Sequence, residues 1–343
     1  MEQRRLGRSG CSVSSLCLGT MTFGDETPEA DAHEQLDVFL EAGGTLIDTA
    51  DVYTAGASEL IVGRWLASRP AEVRERVVLA TKGRFPTGDE PNAVGSSRRH
   101  LGRALDASLT RLGVEQVDLY QLHAWDPHTP LEESLRFLDD AVRTGKIAYG
   151  GLSNFTGWQV QKAVDLAERQ HLAVPVTLQP SYSLLVREVE YEIVPACEHN
   201  GLGLLPWSPL AGGWLSGKYT RETRPTGATR LGEDPTRGIE AYDRVGGRAQ
   251  TWDVLAAVQD VAEAREVSMA QVALAWVRDR PSVSAVVLGA RTTEQLRANL
   301  ASADLVLTEQ ETARLDEVSA PPAADYPYGG PGLEQRSRSL TGR

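Results

Sequence analysis

Short apolar runs alternate with longer amphipathic stretches from one end of this chain to the other, and that alternation admits few folds. It is the pattern of βα units, in which each strand is buried on both faces and each helix buries one stripe. The predicted strands are 15–20, 45–50, 77–82, 117–123, 148–154, 176–179, 203–207 and 285–289. Eight strands are what a closed (β/α)8 barrel requires, so the expected fold class is α/β, a TIM barrel. Helical periodicity fills the gaps: Leu101, Leu105, Leu109 and Leu112 share a face, as do Leu131, Leu135, Leu138 and Val142. Thr27-Pro28 reads as one helix start and Gly43-Gly44 as its stop, Ser58-Glu59 as the next start, and Gly145 and Gly201 as later C-termini.

Ahead of the first barrel strand, 3–6 and 12–15 flank Gly7-Arg8-Ser9-Gly10, which reads as a β-hairpin able to plug the barrel bottom. Residues 83–96 and 209–250 are too long for plain connections and read as functional loops at the C-terminal face. The 343 residues are expected to form a single barrel domain, 1–343, with a flexible tail over 320–343. An open doubly wound sheet would need a Gly-rich fingerprint after its first strand, and none is present. Gly201-Leu202-Gly203 precedes a strand, so it reads as a helix stop.

Composition removes several function classes. With 35 Lys+Arg against 47 Asp+Glu, a net charge of −12 excludes a basic nucleic-acid binder. No apolar h-region follows the charged N-terminus, and no run of about 18 apolar residues occurs, so neither a signal peptide nor a membrane span is expected. Cys11, Cys17 and Cys197 lack metal-ligand spacing, which argues against a zinc site or disulfide framework and for a reducing cytoplasm. Metal dependence is not expected, and oligomeric state is not readable. Lys82, Lys146, Lys162 and Lys218 are the only lysines, so a lysine at a strand end stands out.

In a barrel the active site lies at the C-terminal ends of the strands. The predicted strands end in Asp48, Lys82, His123, Ser153-Asn154, Gln179 and Trp207-Ser208. Each alone has a bland reading: a helix cap, a snorkelling lysine, a satisfied structural histidine. Their occurrence on consecutive strand ends is harder to explain as coincidence. An Asp and a Lys converging in a barrel mouth should pair, since neither charge is tolerable there alone. Tyr53, five residues past Asp48, can reach the same mouth, and a neighbouring ammonium is expected to bring its pKa down. With a neutral His123 to orient a carbonyl, that set suits carbonyl reduction, whose hydride needs a cofactor.

The segments Gly44-Thr-Leu-Ile-Asp-Thr-Ala-Asp-Val-Tyr53, Leu79-Ala-Thr-Lys82, Val117-Asp-Leu-Tyr-Gln-Leu-His123, Gly150-Gly-Leu-Ser-Asn-Phe155, Trp207-Ser-Pro-Leu210 and Gly289-Ala-Arg-Thr-Thr-Glu-Gln-Leu-Arg-Ala-Asn299 resemble the aldo-keto reductase superfamily in order and spacing, from about residue 4 to 318. The long Trp-Ser-Pro-Leu loop and Gly-x-Arg resemble the bacterial branch with potassium-channel β subunits and sugar or natural-product reductases. The resemblance implies a TIM barrel that binds NADPH and reduces aldehydes or ketones. By position it implies a tetrad of Asp48, Tyr53, Lys82 and His123, with Tyr53 as general acid. It assigns Ser153, Asn154 and Gln179 to the nicotinamide carboxamide, Trp207 to the ring, and Ser208, Leu210, Gly212, Ser216 and Lys218 to the pyrophosphate. Arg291, Gln295 and Asn299 fall at the adenosine end, where the Arg291 guanidinium suits a 2′-phosphate and so NADPH over NADH. Gly289 replaces a lysine of other members, leaving the 2′-phosphate mainly to Arg291. Arg230, in the same long loop, is a further cofactor candidate.

Candidate substrate-lining residues are Met21, Phe23, Arg84, Phe85 and Trp125, with Tyr326 or Tyr328 from the tail. Arg84, Arg98 and Arg99 motivate a sharper alternative, a nucleotide-linked keto-deoxysugar, against the plainer reading that Arg98 and Arg99 open an outer helix. A different class is an NADPH-binding redox sensor or regulatory subunit with slow turnover. Against it, the chain begins a few residues before the hairpin, so no N-terminal extension is expected to act on a partner. A barrel isomerase or lyase would want a fuller Gly-rich phosphate cradle than Gly289-Ala-Arg291.

Overall fold

A computed structural model of the chain describes residues 1–227, 229–236, 238–321, 326–330 and 332. The strands are β1 (Gln3–Arg5), β2 (Ser12–Ser14), β3 (Leu16–Gly19), β4 (Leu46–Asp48), β5 (Val78–Gly83), β6 (Val117–Leu122), β7 (Ile147–Ser153), β8 (Thr177–Gln179), β9 (Gly203–Leu204) and β10 (Val286–Leu288). The helices are α1 (Glu29–Glu41), α2 (Ala57–Ala67), α3 (Ala71–Arg74), α4 (Arg98–Leu112), α5 (Leu131–Arg143), α6 (Gly157–Arg169), α7 (Ile193–Asn200), α8 (Arg230–Glu233), α9 (Tyr242–Gly246), α10 (Ala249–Arg265), α11 (Met269–Arg278), α12 (Thr293–Leu300) and α13 (Glu309–Ser319).

Strands β3 to β10 form one parallel sheet in the order β10-β3-β4-β5-β6-β7-β8-β9, and the sheet curls until its ends meet. Leu204 N–H donates to Ser282 O at 2.7 Å, Ser284 N–H to Leu204 O at 2.9 Å and Val287 N–H to Pro206 O at 2.9 Å. The result is a TIM-barrel-like α/β fold with helices outside the sheet. All eight expected strands occur, though β9 stops early because Pro206 has no N–H to offer the ladder.

Side chains alternate across the sheet, so its two faces bury different partners. Cys17, Leu46, Ala80, Leu119, Val176, Leu205, Ala285 and Val287 form an inner cluster with Leu6 and Val13 of the N-terminal hairpin. The intervening Leu18, Ile47, Leu79, Tyr120 and Leu288 pack outward in the larger cluster shared with the helices. The hairpin therefore seals the barrel bottom. Its Gly7 has φ 57°, and a Cβ there would lie 1.9 Å from Val176 O, so only glycine fits that turn.

Both expected helix starts hold, α1 beginning directly after Pro28 and α2 one residue before Ser58, but neither start carries a side-chain cap. Pro28, without a side-chain cap, precedes α1, while the Thr27 hydroxyl lies within hydrogen-bond distance of Thr22 Oγ1 and Arg291 O. Ser58 lies inside α2 and donates to Thr20 O at 2.9 Å, and Glu59 is buried against Thr81 and Arg111. Both residues tie layers together instead of capping. The long 209–250 stretch contains α8, α9 and two short 3-10 turns, Ala211–Ser216 and Gly238–Glu240. The expected tail, 320–343, lies largely outside the described residues.

Candidate active site

Period-two alternation carries the inner face from apolar floor to polar mouth. Two residues beyond Leu46 stands Asp48, beyond Ala80 stands Lys82, and beyond Leu119 stand Gln121 and then His123. The parallel register sets Asp48 beside Ala80, Lys82 beside Gln121, and Ser153 beside Gln179. Past β4 the chain still follows β5, with Asp51 N–H donating to Lys82 O at 3.1 Å, and a turn from Ala50 O to Tyr53 N–H brings Tyr53 over the strand ends.

Lys82 is the hub. Its Nζ donates to Asp48 Oδ2 at 2.5 Å, Thr49 O at 2.8 Å and Tyr53 Oη at 3.1 Å. Asp48 Oδ1 accepts from Gln121 Nε2 and Gln179 Nε2, each at 3.0 Å, so every face of the buried carboxylate is satisfied. Asp48 and Tyr53 together hold the Lys82 ammonium above its ordinary pKa against the opposing effect of burial. The expected lowering of Tyr53 is overturned. Burial raises its pKa above 10 and outweighs the Lys82 charge, which pulls the other way. Burial, followed by the Lys82 and Arg84 charges, holds His123 well below its ordinary pKa, so the imidazole is neutral at pH 7. Its ring meets Phe85 edge-on at 4.6 Å and Tyr53 at 5.9 Å.

These groups stand at one end of a cavity of about 670 Å3 that opens at the strand C-termini. Asp48, Tyr53 and His123 line it, as does every cofactor residue expected from the sequence, from Ser153 to Asn299. Asn154 leaves β7 with φ 56°, a left-handed turn that Asn tolerates. Its amide donates to His123 O at 3.0 Å, and its Oδ1 accepts from the Trp207 indole at 3.1 Å, linking the His123 strand end to the aromatic. Gln179 spends its amide on Asp48, a bond not foreseen. Farther along, Ser208 Oγ bonds the buried Glu240, which Arg230 Nε approaches at 3.3 Å. Arg291 donates to Glu26 at 2.5 Å and to Glu233 of α8 at 2.7 Å.

The expected substrate residues divide. Met21 and Phe85 line the cavity. Phe23 does not, because it is fully buried in the outer core beside α2. Arg84 donates to Trp125 O and lies over the Phe85 ring, and Trp125 packs edge-on against Phe155 and Trp158, so neither reaches the cavity wall. Tyr328 stacks on Tyr191 and Tyr326 is exposed, both away from the lining. Arg98 pairs with Asp140 at the start of α4, the outer-helix role. Gln121, Asp51, Glu59, Glu26, Glu233 and Glu240 were missed. For Gln121 the signal was present, an inward position two before His123.

Among the described residues, no cluster of three metal-ligating side chains and no helix apolar and long enough to cross a membrane occurs. The chain is 38% identical over 335 residues to the oxidoreductase YrpG of Bacillus subtilis, covering 95% of this chain and 98% of that protein. It is 35% identical over 346 residues to the protein Tas of Escherichia coli, covering 93% and 97%. It is 34% identical over 311 residues to a probable voltage-gated potassium channel subunit beta of Arabidopsis thaliana, covering 89% and 92%. The sequence profile of the Aldo/keto reductase family matches residues 15–320, and with the strand-end constellation described above it makes this chain an oxidoreductase of the aldo/keto reductase family.

Proposed function

We propose that the protein reduces an aldehyde or ketone to an alcohol with NADPH, using Tyr53 as the proton donor. The observation that carries this reading is the Tyr53 hydroxyl 3.1 Å from the sealed Lys82 ammonium at the catalytic end of the cavity. The residues present fit a nicotinamide dinucleotide: Ser153 and Asn154 offer polar groups at the catalytic end, Trp207 an aromatic surface, and Arg291 a guanidinium at the far end. NADPH held there would supply the hydride.

The chain's own groups account for the rest. His123, neutral and steadied by Phe85 and Asn154, orients the carbonyl oxygen without competing for the proton. Tyr53, kept protonated by its raised pKa, gives its proton to that oxygen as charge develops there. Lys82 then stabilises the phenolate left behind, and Asp48 fixes Lys82. Met21 and Phe85 favour a substrate with an apolar body next to its carbonyl. A nucleotide-linked keto-deoxysugar has less support, because Arg84 and Arg98 are engaged elsewhere.

The test follows oxidation of NADPH and of NADH with a panel of reactive aldehydes, quinones and keto sugars, in wild type and Tyr53→Phe. Consumption that vanishes in the variant is expected; equal consumption in both would overturn the assignment of Tyr53. Similarity to channel β subunits favours a second reading, an NADPH-binding regulatory subunit. Quenching of tryptophan fluorescence by NADPH with no turnover on any carbonyl is the result that reading expects.

A further inference from the structure

The segment that joins Asp48 to Tyr53 carries another acid, which the reaction above does not use. Asp51 is 3% exposed, and neither of its carboxyl oxygens completes a hydrogen bond among the described residues. A Cβ at Gly83 would lie 2.1 Å from the Tyr120 hydroxyl and 3.4 Å from Asp51 Oδ2. Glycine there is thus what allows β5, Tyr120 of β6 and Asp51 to converge. The Tyr120 hydroxyl is equally sealed and without a bond. Behind them Glu59 of α2 accepts from Thr81 Oγ1 at 2.5 Å and from Arg111 Nε of α4 at 2.7 Å.

We propose that Asp51 is a positioning residue for the reaction: its buried carboxyl, wedged against Gly83 and Tyr120, holds the loop that presents Tyr53 to Lys82. The inference deepens the reductive reading and rests on it. A sealed carboxyl approached by the Val52 N–H but completing no hydrogen bond is tolerated in its acid form and costly as an anion. Burial and the Glu59 charge raise Asp51 while Arg111, the Val52 N–H and Lys82 lower it, and the balance stands at about 7. Tyr120 of β6 is the remaining titratable neighbour, and its phenol is pushed far up by burial and by Asp51. Ionisation of Asp51 therefore forces a charge into the wedge and loosens the Tyr53 loop. Tyr53 titrates above 10 and His123 far below its ordinary value, so neither supplies a limb near pH 7.

The experiment measures kcat and KM for NADPH-linked reduction from about pH 5.5 to 9 in wild type, Asp51→Asn and Tyr120→Phe, alongside the Tyr53 ring NMR resonance, assigned with Tyr53→Phe. Wild-type kcat should fall about tenfold through a limb near pH 7 with little change in KM, and the Tyr53 resonance should move with it. Asp51→Asn should abolish limb and movement while keeping the low-pH kcat within about threefold. Tyr120→Phe should shift both upward, because the wedge loses a polar hydroxyl that faces the anion across Gly83. A limb or movement unchanged by either substitution overturns the proposal. If no carbonyl is turned over, the reductive reading fails on its own, and a Tyr53 resonance that still tracks Asp51, or does not, decides the wedge.

Discussion

Lys82 Nζ lies 2.5 Å from Asp48 Oδ2, and the two side chains are 0% and 2% exposed. A pair so sealed contributes less through its own attraction than through what each partner would cost alone. Asp48→Leu or Lys82→Met should each lower stability by about 3–5 kcal/mol, because each leaves a lone buried charge. The double variant should be more stable than either single one. Urea unfolding of all four proteins measures this, and additive losses in the double variant would sink it.

Tyr53→Phe removes the proposed proton donor and leaves the ring. The expected loss in kcat is about 100- to 10,000-fold, with the dissociation constant for NADPH within about threefold of wild type. Because burial holds the phenol above its ordinary pKa, Tyr53 itself should stay protonated across the neutral range. Stopped-flow turnover with fluorescence titration of the cofactor separates the two quantities. A matching rise in the dissociation constant would show Tyr53 acting in binding instead.

Most of this site is legible in sequence because strands impose period two: once Leu46, Ala80 and Leu119 face inward, Asp48, Lys82 and Gln121 must follow them. Gln121 was overlooked only because His123 ended the same run. What sequence does not carry is depth. The Lys82 charge argued for a depressed Tyr53 pKa, and burial, invisible in the chain, reversed the sign. Phe23 and Arg84 failed as pocket residues for a related reason, since a position a few residues past a strand end can turn into the core, as Phe23 does, or onto a neighbouring loop, as Arg84 does on Trp125 O, as readily as into the mouth. The carboxylates around Arg291 come from Glu26 and Glu233, far apart in sequence, and only folding brings them together.

That arrangement makes Arg291 a discriminating test of cofactor choice. Its guanidinium already serves Glu26 and Glu233, so a 2′-phosphate would share or replace one carboxylate. Arg291→Ala should weaken NADPH about 10- to 100-fold and NADH by less than about threefold, the range for losing a charge-assisted hydrogen bond. Glu233→Gln should tighten NADPH by removing a competing anion. Fluorescence titration with both cofactors reads each change, and equal weakening of NADPH and NADH in Arg291→Ala would place the 2′-phosphate elsewhere.

Asp51 also predicts how stability depends on pH, whether or not catalysis is followed. Its folded pKa of about 7 lies above the ordinary 3.8, so between those values the folded chain holds a proton that the unfolded chain has released. Stability must then fall as pH rises through that window and level off above it. The full penalty is about 4 kcal/mol, present at pH 8 and absent at pH 3.5. Asp51→Asn cannot ionise, so its stability relative to wild type should climb by that amount from about pH 4 to 8, whatever its absolute level. Urea unfolding of the two proteins across this range gives the difference directly. Parallel curves would mean that Asp51 titrates as an ordinary carboxyl, with its charge accommodated by Arg111 and Lys82.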